Sequence, residues 1–146
     1  MAPAECDGFS SGFPAGRHTE VRNLADMNQI IARIIVEMAQ AGYSEREQFG
    51  LRLSLEEAIV NGIKHGNRED PNKAVAVSYS VTPQQIVAEV EDEGPGFNPK
   101  HVPDPLAPEN IERPGGRGVF LMRHYMSTVA FNERGNRVTL AKVRGE

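Results

Sequence analysis

The sequence has little of several features that mark common functional classes. Cys6 is its one cysteine, so an internal disulfide is excluded, and neither a Cys/His metal pattern nor a Cys–His nucleophile pattern is present. The formal net charge of −4 provides no basic patch, so we expect no direct contact with nucleic acid. Apolar runs fall short of a membrane span, and the N-terminus lacks the hydrophobic core of a signal peptide. These absences predict a cytoplasmic protein that does not associate with membranes.

Length and composition indicate a single globular domain. A chain of 146 residues can bury one real core, and its 39% hydrophobic and 25% charged residues are typical of globular proteins. Residues 1–18 are rich in glycine, proline, serine and alanine and show no apolar period. We therefore predict a flexible N-terminal tail over 1–18 and a folded domain over 19–146.

Two helices are predicted in the first half of that domain. The first begins near Asn23 and ends at Gly42, because apolar residues recur there in alternating steps of three and four. This stripe consists of Leu24, Met27, Ile31, Ile34, Met38 and Ala41. It predicts packing against the chain's own domain, with a seam between two copies as the alternative. The second helix begins at Ser44, which has the capping-box spacing to Glu47, and continues to about Gly66.

The second half is predicted to form two hairpins separated by a loop and a helix. Alternating apolar residues predict paired strands over 75–81 and 86–91. A proline-rich loop over 97–114 precedes a third helix over 119–126, and a closing hairpin spans 129–142. This order favours an α+β fold, a two-layer sandwich in which three main helices cover one face of a largely antiparallel mixed sheet.

The second helix carries a row of polar side chains opposite its apolar stripe. Glu57, Asn61 and His65 recur at every fourth position and therefore stack on one helical face. The Asn61 oxygen suits Mg²⁺, and the Glu57 carboxylate could take a proton from a hydroxyl or water. Lys64 adjoins this edge within reach of a phosphate, and His65 is expected to orient its surroundings or cap the helix end. The alternative, which the helix on its own favours, is an ordinary solvated face.

A glycine-rich segment follows the second predicted strand. In Asp92-x-Gly94-x-Gly96 the glycines permit backbone conformations closed to other residues and a close approach of a flat ligand. An ionised aspartate only accepts hydrogen bonds, so Asp92 can bind an exocyclic amino group such as that of adenine. The alternative is a tight turn at the end of a strand.

A second glycine-rich segment opens the third helix. Gly115, Gly116 and Gly118 place flexible backbone where free N–H groups and the helix dipole favour anions. Arg113 and Arg117 add charge that suits phosphate. The alternative is a flexible hinge, since the spacing is neither that of a P-loop nor that of a Rossmann turn.

Together these motifs resemble a known family. In chain order, Glu57-x-x-x-Asn61, Asp92-x-Gly94-x-Gly96 and Gly116-x-Gly118 resemble the N, G1 and G2 boxes of the GHKL ATP-binding family. That family is shared by gyrase, the ninety-kilodalton heat-shock chaperone, histidine kinases and mismatch-repair proteins. The resemblance implies a Bergerat-type ATP-binding fold.

A narrower resemblance covers roughly residues 20–143. The run from Leu55 to Gly66, the pair Glu112-Arg113 and the run from Gly135 to Lys142 resemble the bacterial anti-sigma-factor serine/threonine kinases. Proteins of that kind work by partner switching. The resemblance therefore implies a chain that phosphorylates a small antagonist protein and, when the antagonist is unavailable, sequesters a sigma factor.

The resemblance also implies roles for single residues, with ATP and Mg²⁺ held between helices and sheet under a lid. Glu57 would be the catalytic base, Asn61 would hold the Mg²⁺, and Asp92 would bind the adenine amino group. Thr139 would support the adenine side, and Arg113 would face phosphate from the lid. The nucleotide-binding residues that we expect are Asn61, Lys64, His65, Asp92, Gly94, Gly96, Arg113, Gly116, Arg117, Gly118 and Thr139.

The leading hypothesis is thus an ATP-dependent anti-sigma factor with serine/threonine kinase activity, whose partners are an antagonist protein, a sigma factor and a second copy of the chain. One alternative is an ATP-binding sequestering module without significant kinase activity. Another is a detached ATP-binding domain of a histidine kinase. The sequence weakens the last alternative, because it has no recognisable pair of dimerisation helices with a phospho-accepting histidine.

Overall fold

The computed structural model describes residues 17–94 and 116–146. In these ranges the chain forms five strands and three α-helices, and a π turn extends the second helix. In chain order the elements are β1 (Arg17–Val21), α1 (Leu24–Gln40), α2 (Glu45–Asn61), the π turn (Gly62–Gly66), β2 (Val75–Val81), β3 (Gln85–Glu91), α3 (Gly116–Tyr125), β4 (Thr128–Phe131) and β5 (Arg137–Val143). None of the helices in this part of the chain is long and apolar enough to cross a lipid bilayer.

The strands form one sheet in the order β1-β2-β3-β5-β4, and each neighbouring pair is antiparallel. β3 is the central strand, with Val90 paired to Val77 of β2 on one side and to Val138 of β5 on the other. The closing hairpin therefore places β5 directly beside β3, the strand that leads into Asp92, and β4 at the edge of the sheet. The predicted α+β fold is confirmed.

The hydrophobic core lies between the helices and one face of the sheet. Side chains alternate along a strand, so Val77, Tyr79, Ala88 and Leu140 point to the same face, where all four are fully buried. From α1 the buried residues are Met27, Ile30, Ile31, Ile34 and Met38. The prediction that this helix packs against its own domain is confirmed, although Leu24 at its first position is 51% exposed.

Both helix starts predicted from capping residues are confirmed. Asn23 accepts the backbone N–H of Asp26 at 2.8 Å through its side-chain oxygen. At α2 the Ser44 hydroxyl accepts the N–H of Glu47 at 3.0 Å, and the Glu47 carboxylate accepts the N–H of Ser44 at 2.8 Å. These reciprocal bonds satisfy two backbone donors that a helix end otherwise leaves unpaired.

Three boundaries differ from the sequence prediction. β1 begins at Arg17, inside the segment assigned to the tail. α2 stops at Asn61 and the chain continues to Gly66 as a π turn rather than as α-helix. α3 begins at Gly116, so Gly116 and Gly118, which were expected ahead of the helix, belong to its first turn. The predicted loop over 97–114 lies outside the described residues.

Candidate functional site

The last turns of α2 and the π turn that extends them contact two segments that are far away in the sequence. One is the first turn of α3, and the other is the turn that follows β3. Gly118 of α3 lies so close to α2 that a Cβ added to it would stand 3.0 Å from Oε1 of Glu57 and 3.0 Å from Nδ2 of Asn61. The predicted N-box and G2 segments are therefore in direct contact.

The start of α3 supplies positive potential to this contact. The first N–H groups of a helix have no partner within the helix, and the dipole places partial positive charge at that end. Gly116 and Arg117 belong to this first turn. Glu57 and Asn61 are half-buried in front of it. The arrangement can receive an anionic group beside a carboxylate and a carboxamide.

The π turn changes the direction of the residues after Asn61. The N–H of Asn67 bonds to the carbonyl of Gly62 at 2.8 Å, five residues back, whereas an α-helix would use the carbonyl four residues back. His65 therefore lies in a π turn rather than in a continuous α-helix, and its place in the row of Glu57 and Asn61 stays a prediction. Lys64 and His65 are both exposed.

The π turn also brings glycine backbone against Asp92. A Cβ on Gly66 would overlap the Asp92 carboxyl group, and a Cβ on Gly62 would lie 3.4 Å from the Asp92 Cβ. A Cβ on Gly94 would overlap the carbonyl of Gly66. Only glycine permits backbone approaches this close. The turn after β3 thus packs tightly against the end of α2.

The Asp92 side chain is oriented within its own turn. Its Oδ1 accepts the N–H of Gly94 at 2.8 Å. Burial raises the pKa of Asp92 above its ordinary value and the neighbouring Glu91 adds to this, while the Gly94 hydrogen bond and the charge of Arg134 oppose it. In its ionised form, Asp92 is an oriented acceptor in a partly buried position.

The β4–β5 hairpin holds this turn from the sheet side. The Asn136 side-chain amide donates to the backbone carbonyl of Asp92 at 2.9 Å, and the backbone carbonyl of Asn136 accepts the N–H of Asp92 at 2.9 Å. The Arg134 guanidinium donates to the carbonyl of Gly94 at 2.7 Å. Neither contact could be predicted from the sequence, because a polar residue in a turn gives no indication of which distant backbone group it contacts.

The position of Thr139 bears on the role that the resemblance implies for it. On β5 it points to the sheet face opposite the helices, since its neighbours Val138 and Leu140 belong to the core. Its cross-strand partner is Glu89, whose pKa is raised mainly by burial. Asp92 follows the helix-facing alternation of β3 instead. The printed contact to Asp92 from β5 and its turn therefore comes from Asn136, and the adenine-side role of Thr139 stays an expectation.

Of the remaining predicted residues, Gly96 and Arg113 lie outside the described part of the chain. Within the described ranges, no three His, Cys, Asp or Glu side chains converge as a metal site. The donors nearest the start of α3 are the Asn61 carboxamide and the Glu57 carboxylate. A few hard oxygen donors of this kind suit Mg²⁺ shared with phosphates and water rather than a cage made of protein alone.

The fold and the site together define the class of protein. The chain belongs to the histidine kinase-like ATPase domain family, which it matches over residues 19–142. Membership of this family implies the use of ATP.

The named relatives are protein kinases. The chain is 28% identical over 102 residues to the serine/threonine-protein kinase BtrW of Bordetella bronchiseptica, covering 67% of this chain and 72% of that protein. It is 28% identical over 117 residues to the serine-protein kinase RsbW of Bacillus subtilis, covering 71% and 69% of the two chains. The RsbW of Listeria monocytogenes is 25% identical over 115 residues, covering 74% and 73%.

Proposed function

We propose that this protein binds Mg·ATP and transfers the γ-phosphoryl group to a serine or threonine of a small antagonist protein in the cytoplasm. When it is not engaged with the antagonist, it would sequester a sigma factor. The observation that carries the proposal is the contact of Gly118, at the start of α3, with both Glu57 and Asn61. That contact joins an anion-binding helix end to a carboxylate and a carboxamide.

The purine would lie against the turn after β3. Asp92 is held on its backbone by Asn136 and on its side chain by the N–H of Gly94, so its free oxygen has a defined direction. A carboxylate in that position accepts a hydrogen bond from the adenine amino group. The tight packing of Gly94 on Gly66 would form the wall of the pocket.

The phosphates would extend from there toward the start of α3. The free N–H groups of the helix and its dipole favour the negative charge. Asn61 would hold Mg²⁺, which neutralises charge on the phosphates. Gly96 and Arg113 are proposed to complete the pocket, together with Gly116 and Arg117. Lys64 and His65 retain only a peripheral role in this proposal, because both are exposed.

Glu57 would act as the general base. In the transfer, the hydroxyl oxygen of the substrate bonds to the γ-phosphorus while the bond from that phosphorus to the β–γ bridging oxygen breaks. The hydroxyl proton passes to the Glu57 carboxylate, and ADP is released. Glu57 lies one helical turn from Asn61 and faces the same helix start, which is the geometry this step requires.

The relatives' names support a kinase that acts on protein serine or threonine. The specific partners come from the resemblance to anti-sigma-factor kinases and are part of the proposal. A homodimer is likewise part of the proposal. An ATP-dependent sequestering module without phosphoryl transfer would use the same pocket, so the base separates the two functions.

The test uses Glu57→Gln, which keeps the size of the side chain and removes the basic carboxylate. We expect this variant to bind ATP and its partners like the wild type, and to lose about a hundredfold or more in phosphorylation of an antagonist protein encoded near the gene. Labelled ATP measures the transfer and titration calorimetry measures the binding. Asn61→Ala is the companion variant and should lose Mg²⁺-dependent ATP affinity.

If the wild type never phosphorylates such an antagonist but holds a sigma factor when ATP is bound, the kinase proposal is wrong and the sequestering module replaces it. Unchanged transfer in Glu57→Gln would remove the base assignment alone.

A further inference from the structure

One buried side chain connects the end of the π turn to the turn that carries Asp92. Asn67 is 3% exposed, and its Oδ1 accepts the N–H of Glu93 at 2.7 Å. Its own N–H closes the π turn on the carbonyl of Gly62. Asn67 is thus tied by its backbone to the helix of Glu57 and Asn61, and by its side chain to the Asp92 turn.

The backbone around Asn67 has an unusual conformation. The N–H of Glu69 donates to the carbonyl of Ile63 at 2.7 Å. Arg68 and Glu69, which follow the π turn, have φ values of 54° and 59°. Residues other than glycine rarely adopt these left-handed values, so surrounding contacts must hold them. The bond of Asn67 to Glu93 is one such contact. The Glu93 carboxylate also accepts the N–H of Ala74 at 2.8 Å, so the Asp92 turn is bonded as well to the residue that precedes β2.

We infer that Asn67 is a positioning residue that fixes the Asp92 turn relative to α2 and thereby sets the selectivity of the pocket for adenine over guanine. The inference rests on the proposed function, in which Asp92 accepts a hydrogen bond from the adenine amino group. Guanine presents a carbonyl oxygen at the corresponding ring position. A carboxylate held in place repels that oxygen, whereas one on a loosened turn can move away from it.

The experiment compares the dissociation constants of Mg·ATP and Mg·GTP for the full chain at about pH 8, far above the ordinary aspartate pKa of about 3.9. In Asn67→Ala we expect ATP to bind about tenfold more weakly with little change for GTP, so the selectivity ratio falls about tenfold. Asn67→Asp keeps an acceptor oxygen for the N–H of Glu93. Both nucleotides carry the same charge, so the added carboxylate affects both affinities alike, and the ratio should stay close to that of the wild type.

Gln48→Ala is the matched control. Gln48 also makes a hydrogen bond from its side chain to the backbone, but at the opposite end of α2, where its Nε2 donates to the carbonyl of Tyr43 at 3.0 Å. A loss of stability alone would lower both nucleotide affinities in proportion, so this variant should keep the wild-type ratio. Amide hydrogen exchange at Glu93 adds a measurement that needs no nucleotide and no variant, and we expect strong protection there.

If the wild type prefers ATP and Asn67→Ala keeps the same ratio, the inference is wrong while the proposed function stands. Rapid exchange of the Glu93 amide in the wild type would also overturn the inference. If the wild type binds neither nucleotide, both the inference and the proposed function fall.

Discussion

Replacing Gly118 with alanine should separate stability from function in this protein. A single methyl group at this position would stand 3.0 Å from both Glu57 Oε1 and Asn61 Nδ2. Both atoms are near the ends of side chains that can move by a few tenths of an ångström, so the fold can accept the change. The two groups that would have to move are the proposed base and the proposed Mg²⁺ ligand.

We expect a small effect on stability and a larger effect on the rate of transfer. Alanine is preferred over glycine inside a helix by about 1 kcal/mol, which offsets the crowding, so the free energy of unfolding should change by less than about 1 kcal/mol. A displacement of catalytic groups by about 1 Å can cost about a hundredfold in rate. The shift needed here is smaller, and we therefore expect phosphoryl transfer to fall about tenfold.

Chemical denaturation measures the stability, and single-turnover transfer from labelled ATP measures the rate. Gly50→Ala is the control from the same α2–α3 contact, because a Cβ there would also stand 3.0 Å from a neighbour, the packed side chain of Tyr125. That change should destabilise the protein without altering the rate of the folded fraction. Wild-type transfer rates in a well-folded Gly118→Ala variant would refute the placement of the reacting groups at the start of α3.

Two further predictions concern Asp92 and Thr139. Burial raises the pKa of Asp92, so ATP affinity measured by titration calorimetry should fall on acidification from a pH above the ordinary aspartate value of about 3.9. Because its pKa is raised, the ionised Asp92 carboxylate destabilises the fold at pH values above that pKa, and protonation removes this destabilisation as the pH falls. Asp92→Asn should abolish this pH dependence of the free energy of unfolding. An unaltered profile would contradict the assignment. Thr139→Val should leave ATP affinity unchanged, because Thr139 faces the side of the sheet opposite the helices; a loss well beyond tenfold would support its adenine-side role.

Local sequence determined the elements and most of the fold. The capping box at Ser44, the alternation along 75–81 and 86–91, and the apolar stripe of α1 each follow from interactions between residues close in the chain. The three motifs that begin at Glu57, Asp92 and Gly116 could also be recognised in the sequence, since each needs particular residue types at a short, fixed spacing. Their order along the chain was enough to indicate an ATP-binding family.

Only the tertiary structure decided how those motifs meet. The polar row of α2 looked continuous to His65, but packing of Gly62 and Gly66 against Asp92 accompanies a π turn that no short-range pattern indicated. The contacts of Asn67, Asn136 and Arg134 with the Asp92 turn span 26, 44 and 40 residues of sequence. Such contacts depend on where strands and helices finally pack, so the residue types that make them carry no local signal. The sequence by itself indicated the chemical groups of the site, whereas long-range packing determined which distant residues hold the Asp92 turn in place.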